Sequence, residues 1–321
     1  MSIAFPAIAD TLSLQLPLNC DFNNTCHIQN HFDHDPGSGF SDYACGPLGY
    51  DGHDGTDLRL PNLALMRQGM AVVAAAPGLV RAIRDEMEDV SVKDIGREAI
   101  KGREAGNGVV IKHGQEWETQ YSHLRKGSVR VKPGDVIRAG QILGLVGLSG
   151  NTEFPHLHFE VRHYGKPVDP FVGLARSEQC GIGIKPLWNA NALKMLAYRQ
   201  TGMLQSGFAP QAPQLKAVER GDYSSFEFAR DVPALTFWVE TFGAQAGDRG
   251  LVQLFGPDGK VLAEKQETFS RNKARWFGYV GKKRPNGEWP AGEYRGRYQL
   301  LRERAGQLSV VIDTGHVLIV R

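Results

Sequence analysis

The chain has 321 residues, of which 41% are hydrophobic, and this length and composition predict about two domains with ordinary packed cores. The formal net charge of +2 gives no argument for nucleic acid as a partner. No stretch reaches the roughly 18 to 20 consecutive apolar residues of a membrane-spanning helix. The 38 glycines and 17 prolines favour turns and short strands over long helices, and we expect a monomer.

Residues 1–45 are interpreted as an N-terminal tail that bears three of the cysteines. Ala7-Ile8-Ala9 has the A-x-A form of a signal-peptide cleavage site, although the apolar run before it is short and has no basic region. We favour the remnant of a signal sequence over a plain tail, partly because of the cysteines.

The chain has four cysteines, and none of them forms a C-x-x-C pair, which argues against a structural zinc knuckle. Three of them lie close together in a turn-rich stretch. This favours disulfides formed in an oxidising compartment over buried free thiols. The spacing leaves the pairing open for Cys20, Cys26, Cys45 and Cys180.

Residues 10–50 are rich in turn-forming residues and predict irregular structure. Several side chains there could bind a metal, but their spacing fits no regular element, so we predict a solvated loop. These residues are His27, His31, Asp33, His34 and Asp35. Whether this segment covers a nearby site, through Asn30 or Asp33 for example, is left open.

The stretch YDGHDGTDLRL contains His53 and Asp57 with Gly55 between them. Because glycine permits a tight backbone path, the imidazole and the carboxylate can converge outside a helix. Nitrogen and oxygen ligands of these kinds suit zinc. Asp54 is the weaker candidate for a ligand, because we expect it to point away.

From residue 69 to residue 147, short runs of β-branched residues alternate with glycine-rich turns and predict an antiparallel β domain. The charged segment 84–107 interrupts this pattern. It predicts a short helix or hairpin that is either a solvated excursion or one wall of a substrate groove. His123 ends a predicted strand, in a position that on its own is more typical of a structural histidine.

The stretch NTEFPHLHFEVR places His156 and His158 two residues apart in a predicted strand. Alternate side chains of a strand point to the same face. The two imidazoles are therefore about 7 Å apart along the strand, and they can share one metal site if other parts of the chain supply the missing ligands.

Taken together, these motifs resemble those of the M23 family, the lysostaphin/LytM-type zinc endopeptidases that cut peptide bonds in peptidoglycan. The resemblance is carried by H-x-G-x-D at 53–57, Tyr-Ser-His-Leu at 121–124, G-D-x-x-x-x-G-Q at 134–141 and His-Leu-His at 156–158. It covers roughly residues 46 to 171, and Val168-Asp169-Pro170 is similar to the end of the family's core. The N-terminal segment and the 84–107 insert depart from the family and leave substrate preference open.

By this resemblance, His53, Asp57 and His158 are the ligands of a zinc ion (Zn2+), and His123 and His156 are unliganded catalytic histidines. The family fold is a compact antiparallel β structure, LytM-like, with its site in an open groove. The implied partner is a peptide stem or cross-link of peptidoglycan. The separate roles of His123 and His156 are left open.

The C-terminal third predicts a linker over 176–216, with a short helix within 189–200 and a Gly/Pro/Gln-rich stretch over 202–213. Seven or eight short strands over 217–321 predict an immunoglobulin-like β-sandwich without its usual cysteine pair. We expect most of the aromatic residues in the core, a basic cluster on a solvated face and His316 in packing. These aromatic and basic residues are Trp276, Trp289, Tyr294, Tyr298, Arg271, Lys273, Lys282, Lys283 and Arg284.

The sequence thus predicts a mainly β protein with an M23-type peptidase domain over 46–175 and an accessory β-sandwich. We expect a periplasmic or secreted zinc metallopeptidase that hydrolyses peptidoglycan. One alternative is a catalytically silent protein that binds the cell wall or activates other hydrolases. Another is a peptidase whose substrate is a Gly-rich protein segment.

Overall fold

A computed structural model of the protein describes residues 12–22, 25–114, 116–175 and 179–321. The chain divides into two compact units, Met1–Tyr198 and Arg199–Arg321. The predicted signal remnant at residues 7–9 lies outside the described residues. Among the residues described, no helix has the length and apolar character needed to cross a membrane.

The described part of the first unit contains ten strands. They are β1 (His27–Asn30), β2 (Thr56–Arg59), β3 (Ala71–Val73), β4 (Gly78–Arg84), β5 (Asn107–Lys112), β6 (Trp117–Leu124), β7 (Val136–Ile137), β8 (Ile142–Leu145), β9 (His156–His163) and β10 (Lys166–Pro167). Eight of them form one antiparallel sheet in the order β1-β2-β9-β6-β5-β4-β7, with β10 paired to β9. Strands β3 and β8 form a separate antiparallel pair.

Helices in the first unit are short: α1 (Leu63–Gln68), α2 (Val92–Ile95), a 3-10 turn (Arg97–Ile100) and α3 (Ala190–Met195). The helix predicted within 189–200 is α3, and the Asn189 side chain caps it by accepting from the Ala192 N–H. The charged insert holds α2 and the 3-10 turn around a small apolar cluster of Met87, Val92 and Ile100.

Strand β9 shows how the sequence builds the sheet. Leu157, Phe159 and Val161 are fully buried in the core, and the residues between them point to the opposite face, as the two-residue period of a strand requires. That opposite face carries the polar side chains of His156 and His158. Apolar burial on one face of β9 therefore fixes the direction of both histidines.

The N-terminal segment is part of the core, which corrects the prediction of a tail over 1–45. Leu14 and Leu18 are buried among the core residues, and β1 pairs with β2 in the main sheet. The solvated-loop prediction is wrong for His27 and His31, which are 9% and 1% exposed. The turn-forming residues of this stretch predicted no strand, whereas β1 forms there because pairing with β2 stabilises it.

All four cysteines form disulfides, Cys20–Cys26 and Cys45–Cys180, as the clustering in the sequence predicted. The first disulfide closes a local turn, with a sequence separation of 6. The second spans a separation of 135 and joins the turn-rich N-terminal segment to the end of the first unit.

The second unit is a sandwich of two sheets. Its strands are β11 (Gly202–Ala209), β12 (Glu227–Phe228), β13 (Ala234–Ala244), β14 (Arg249–Phe255), β15 (Val261–Thr268), β16 (Lys273–Lys283), β17 (Gly292–Arg304) and β18 (Gln307–Val320), and it also contains helix α4 (Leu215–Arg220). The sheet orders are β11-β13-β16 and β12-β18-β17-β14-β15. This corresponds to the two-sheet arrangement of immunoglobulin-like domains, as predicted.

Both sheets contribute to the core of the second unit, with Phe237 from one sheet and Tyr298 from the other. Trp289, Tyr294 and Tyr298 are buried, as expected. The Tyr294 hydroxyl donates to the Pro290 carbonyl at 2.9 Å, a bond typical of the tyrosine corner of immunoglobulin-like domains.

The linker prediction over 176–216 is wrong in its second half, because β11 (Gly202–Ala209) pairs with β13 along its length. Its glycines lie against aromatic rings of the neighbouring strand. A Cβ at Gly202 would lie 2.7 Å from the Phe242 ring, and one at Gly207 would lie 3.0 Å from the Trp238 ring. These glycines make room for large side chains on β13. Because a glycine-rich stretch is also typical of a linker, the sequence did not reveal this strand.

Candidate metal centre and active site

Two adjacent strands and the loop before them bring His53, Asp57 and His158 together. Asp57 on β2 lies directly opposite His158 on β9, and His53 precedes β2 by a tight turn. One ligand atom from each of the three side chains lies within 4.8 Å of the others. His53 and Asp57 are buried, and His158 is partly so.

The spacing of these atoms fits a metal ion. His158 Nδ1 lies 2.9 Å from Asp57 Oδ1 and 3.3 Å from His53 Nε2, and His53 Nε2 lies 3.2 Å from Asp57 Oδ1. Ligands bound at 2.0–2.1 Å around a tetrahedral ion are about 3.3 Å apart. Two imidazoles and one carboxylate are also a typical ligand set for a catalytic zinc site.

Hydrogen bonds on the far side of each ligand fix its orientation. His53 Nδ1 lies 2.7 Å from the His31 carbonyl oxygen. Donation of the Nδ1 hydrogen to this oxygen leaves the lone pair of Nε2 free to bind a metal ion. Asn30 donates to Asp57 Oδ2 at 2.7 Å, which leaves Oδ1 toward the histidines. His158 Nε2 lies 3.3 Å from Asp54 Oδ1. A contact made by the second polar atom of a ligand side chain sets the tautomer of a histidine and the direction of its metal-binding atom.

The electrostatics of the three groups favour a bound positive charge. Burial would raise the pKa of Asp57, but His53 and His156, with hydrogen bonds from His156 and His158, hold that pKa well below its usual value. Burial would lower the pKa of His158, but hydrogen bonds to Asp54 and Asp57 raise it to about 10. The carboxylates therefore stabilise a cation at this position, whether a proton or a metal ion.

His123 and His156 lie beside this cluster, with ring centroids 4.6 Å apart. His123 Nδ1 lies 2.7 Å from the Ser149 carbonyl oxygen. His156 Nδ1 lies 3.0 Å from both the Phe154 carbonyl oxygen and Thr152 Oγ1, and its Nε2 is 3.5 Å from Asp57 Oδ1. The structure thus brings all five predicted site residues together.

The backbone around the site is unusually constrained. His123 has a φ of +62° within β6, a left-handed conformation that is uncommon for residues with a Cβ and is often found at functional sites. Burial lowers the pKa of His123 well below its usual value, and His156 and His158 lower it further. A Cβ at Gly55 would lie 2.7 Å from the His158 ring, so glycine at this position permits the close approach.

The charged insert lies next to the loop that precedes β9. The Val92 N–H donates to the Thr152 carbonyl at 2.9 Å, and Asp89 accepts from the Leu148 N–H at 2.7 Å. Thr152 in turn contacts His156. The insert therefore supports the segment that carries His156, a role that its composition did not reveal.

The sequence did not identify the roles of Asn30 and the His31 carbonyl, since both fall in the stretch predicted as a loop. Asp54 was considered only as a weaker ligand, and it instead contacts the ring nitrogen of His158 that faces away from Asp57. His34 pairs with Asp169 at 2.7 Å and lies outside the cluster. A hydrogen bond to a backbone carbonyl leaves no signal in the side-chain sequence.

A buried cluster of potential metal ligands with two neighbouring histidines, on an antiparallel sheet, is the site expected of a metal-dependent hydrolase. Comparison with known protein families gives a match that is consistent with this kind of site. Residues 51–170 match the model of "Peptidase family M23". The resemblance found in the motifs is confirmed.

Curated relatives match the same part of the chain. It is 34% identical over 117 residues to the peptidoglycan DD-endopeptidase ShyB of Vibrio cholerae, covering 36% of this chain and 22% of ShyB. It is 33% identical over 120 residues to the DD-carboxypeptidase/endopeptidase Mpg of Neisseria meningitidis, covering 37% and 22%. The chain thus spans about a fifth of the length of these relatives.

Among solved structures, the catalytic domain of the prophage-encoded M23 protein EnpA from Enterococcus faecalis is 25% identical to this chain. The match covers 50% of this chain and 94% of that domain, with a TM-score of 0.32.

Proposed function

We propose that the first unit is a zinc-dependent endopeptidase that hydrolyses peptide bonds in bacterial peptidoglycan. The observation that carries this proposal is the arrangement of five side chains within an M23 domain. Three potential ligand atoms lie within 4.8 Å of one another, and two further histidines lie beside them with ring centroids 4.6 Å apart.

The substrate class is supported by the relatives. Proteins similar to the first unit are named as a peptidoglycan DD-endopeptidase and a DD-carboxypeptidase/endopeptidase. We therefore propose the peptide stems or cross-links of peptidoglycan as the substrate. The two disulfides support a periplasmic or secreted location, because disulfides form and persist in oxidising compartments.

His53 Nε2, Asp57 Oδ1 and His158 Nδ1 would hold the zinc ion. A zinc ion in this position supplies Lewis-acid chemistry, since it polarises a carbonyl and lowers the pKa of a water molecule toward about 7. Asn30, the His31 carbonyl and Asp54 keep the three ligand atoms directed toward one point. This preorganised arrangement would reduce the cost of binding both the ion and the substrate carbonyl.

His123 and His156 would move the protons. Donation from Nδ1 to the Ser149 carbonyl in one residue, and to the Phe154 carbonyl in the other, leaves each Nε2 available for chemistry. One of them accepts a proton from the attacking water and transfers it to the leaving amine. The other would donate a hydrogen bond from Nε2 to the oxyanion that forms at the scissile carbonyl, which requires that ring to carry a proton on both nitrogens.

The test is zinc content and digestion of purified sacculi by the full chain, beside His158→Ala and His123→Ala. We expect about one zinc per wild-type chain and release of soluble peptide fragments. His158→Ala should lose both zinc and digestion, whereas His123→Ala should keep zinc and lose digestion. His163→Ala is the matched control, because that ring lies on the same strand but stacks on Trp117, and it should behave as wild type.

A wild-type protein without zinc, or a His123→Ala variant that digests sacculi normally, would overturn the proposal. A parallel digestion of Gly-rich peptides tests the substrate class. Cleavage of those peptides without cleavage of sacculi would retain the peptidase chemistry and reject peptidoglycan as its target.

A further inference from the structure

Two of the contacts that orient the candidate metal ligands come from outside the M23 domain. The match to the family covers residues 51–170, whereas Asn30 and His31 belong to the N-terminal segment. Asn30 donates to Asp57 Oδ2 and the His31 carbonyl lies against His53 Nδ1, both at 2.7 Å. Adjacent residues of one segment therefore contact two of the three ligands.

The position of Asn30 is set by the pairing of β1 with β2. Asn30 is the register partner of Asp57, and the register shifts between Ile28 and Asn30. This irregularity at the end of β1 leaves the Asn30 amide beside the Asp57 carboxylate. Asp57 is 3% exposed, so its Oδ2 is held by a protein donor while its Oδ1 faces the histidines.

The segment that follows Asn30 is held firmly. The His31 ring meets the stacked rings of Tyr43 and Phe171 edge-on, with centroids 5.1 and 5.2 Å away. The backbone N–H of His31 donates to the Leu48 carbonyl at 2.8 Å. Asp42, 1% exposed, accepts from several donors around the turn beyond it. These donors are the N–H groups of Ala44, Gly46 and Leu48 and the hydroxyl of Tyr198.

We propose that Asn30 is a positioning residue for the metal site and acts through Asp57. The amide holds Oδ2 so that the carboxylate cannot rotate and Oδ1 remains directed at the ion. The working metal site of this protein therefore includes the N-terminal segment as well as the M23 domain. This inference rests on the proposed function only in requiring that the site binds a divalent metal ion.

The experiment measures the zinc affinity of the full chain by competition with a chromogenic chelator. Asn30→Leu keeps the volume of the side chain but removes the donor. We expect its zinc dissociation constant to rise about 10- to 100-fold, the usual cost of losing a second contact to a metal ligand. We also expect the visible absorption spectrum of the cobalt-loaded variant to differ from that of wild type, because the carboxylate is no longer held in one orientation.

Asn62→Leu is the matched control. Asn62 caps α1 by accepting from the Leu65 N–H at 3.0 Å, so the same substitution there removes a structural hydrogen bond. We expect Asn62→Leu to lower the melting temperature while leaving the zinc affinity and the cobalt spectrum unchanged. If Asn30→Leu does not fold, Asn30→Ala takes its place in the same comparison.

A zinc dissociation constant within twofold of wild type in the Asn30 variant, with an unchanged cobalt spectrum, overturns the inference. An equal loss of affinity in Asn62→Leu overturns it as well. The result is separable from the proposed function, because zinc affinity is measured without a substrate. A protein that binds zinc but leaves sacculi intact rejects the proposed activity and still tests the role of Asn30.

Discussion

The two units differ in the kind of polar group that they bury. The first unit buries several histidines, among them His53 and His156, whose Nε2 atoms lie 3.2 and 3.5 Å from Asp57 Oδ1. The second unit places its buried charges in ion pairs of opposite sign, such as Asp248 with Arg302. Buried titratable groups that lack a partner of opposite charge are costly, so their concentration in the first unit supports the proposal that the catalytic site lies there.

The backbones differ in the same way. In the first unit, His123 has a positive φ inside strand β6, where the neighbouring strands would favour ordinary extended geometry. In the second unit, a positive φ occurs at Ala305, in the hairpin turn between β17 and β18, where such angles are usual. A positive φ inside a strand supports a functional site at that residue. A positive φ in a hairpin turn only reverses the direction of the chain.

Removal of metal should give the largest difference between the units. We expect a chelator to reduce sacculus digestion by the full chain about a thousandfold or more, since the metal supplies several kcal/mol of transition-state stabilisation. Added zinc should restore it. In calorimetry, zinc should raise the melting transition of the first unit and leave that of the second unchanged. Digestion that persists without metal would contradict this comparison.

Loss of a disulfide should act on the first unit alone. The chain-entropy model gives about 5 kcal/mol for a separation of 135 residues and about 2 kcal/mol for a separation of 6. Cys45→Ser with Cys180→Ser should therefore lower the free energy of unfolding more than Cys20→Ser with Cys26→Ser. Urea titrations of both double variants measure the unfolding free energy. An equal loss in the two would show that the length of the closed loop does not determine how much each disulfide stabilises the unit.

The buried ion pair should control stability in the second unit without affecting chemistry in the first. Arg302 donates to both carboxylate oxygens of Asp248, at 2.8 and 2.7 Å. Asp248→Ala leaves the arginine unpaired and should cost about 3–5 kcal/mol of unfolding free energy. Asp313→Ala is the control, because its pair with Arg297 is exposed and should contribute less than about 1 kcal/mol. Zinc affinity should be unchanged in both variants.

Lowering the pH should reduce the unfolding free energy of the first unit through the buried side chain of His27. Burial, with a contribution from Arg59, lowers the pKa of His27 to about 3, against 6.5 as its ordinary value. Below pH 6.5 the unfolded chain binds a proton that the folded chain excludes, so stability falls as the pH falls. From His27 alone we expect a loss of about 2 kcal/mol at pH 5 relative to pH 7.

His27→Phe keeps a buried ring and removes this titration. Its unfolding free energy, measured by urea titration at several pH values, should fall less steeply between pH 7 and pH 5 than that of wild type. An identical slope in the two proteins would assign the acid sensitivity of the first unit to other groups.

The sequence predicted those parts of the molecule that repeat a period or carry a motif. Strand β9 was predictable because apolar residues at every second position bury one face, and this fixed the direction of His156 and His158. The glycine in H-x-G-x-D predicted a tight backbone path between His53 and Asp57. The structure adds a second reason, since a Cβ at Gly55 would lie 2.7 Å from the His158 ring. The β-sandwich was predictable from the spacing of its strands and turns.

Other parts depend on contacts between distant residues, which a single sequence does not reveal. Strand β1 lies among turn-forming residues and is stabilised by its pairing with β2. The carbonyl of His31 contacts His53 whatever the side chain at position 31, so no residue type signals it. Strand β11 was missed because its glycines are explained by aromatic rings on a neighbouring strand.

The disulfide between Cys45 and Cys180 has a consequence for the integrity of the protein. The chain between these cysteines forms a closed covalent ring that contains His53, Asp57, His123, His156 and His158. A single cut by a protease anywhere in this ring leaves both pieces in one molecule. A nicked protein would therefore migrate as an intact chain on a non-reducing gel and separate into fragments only after reduction.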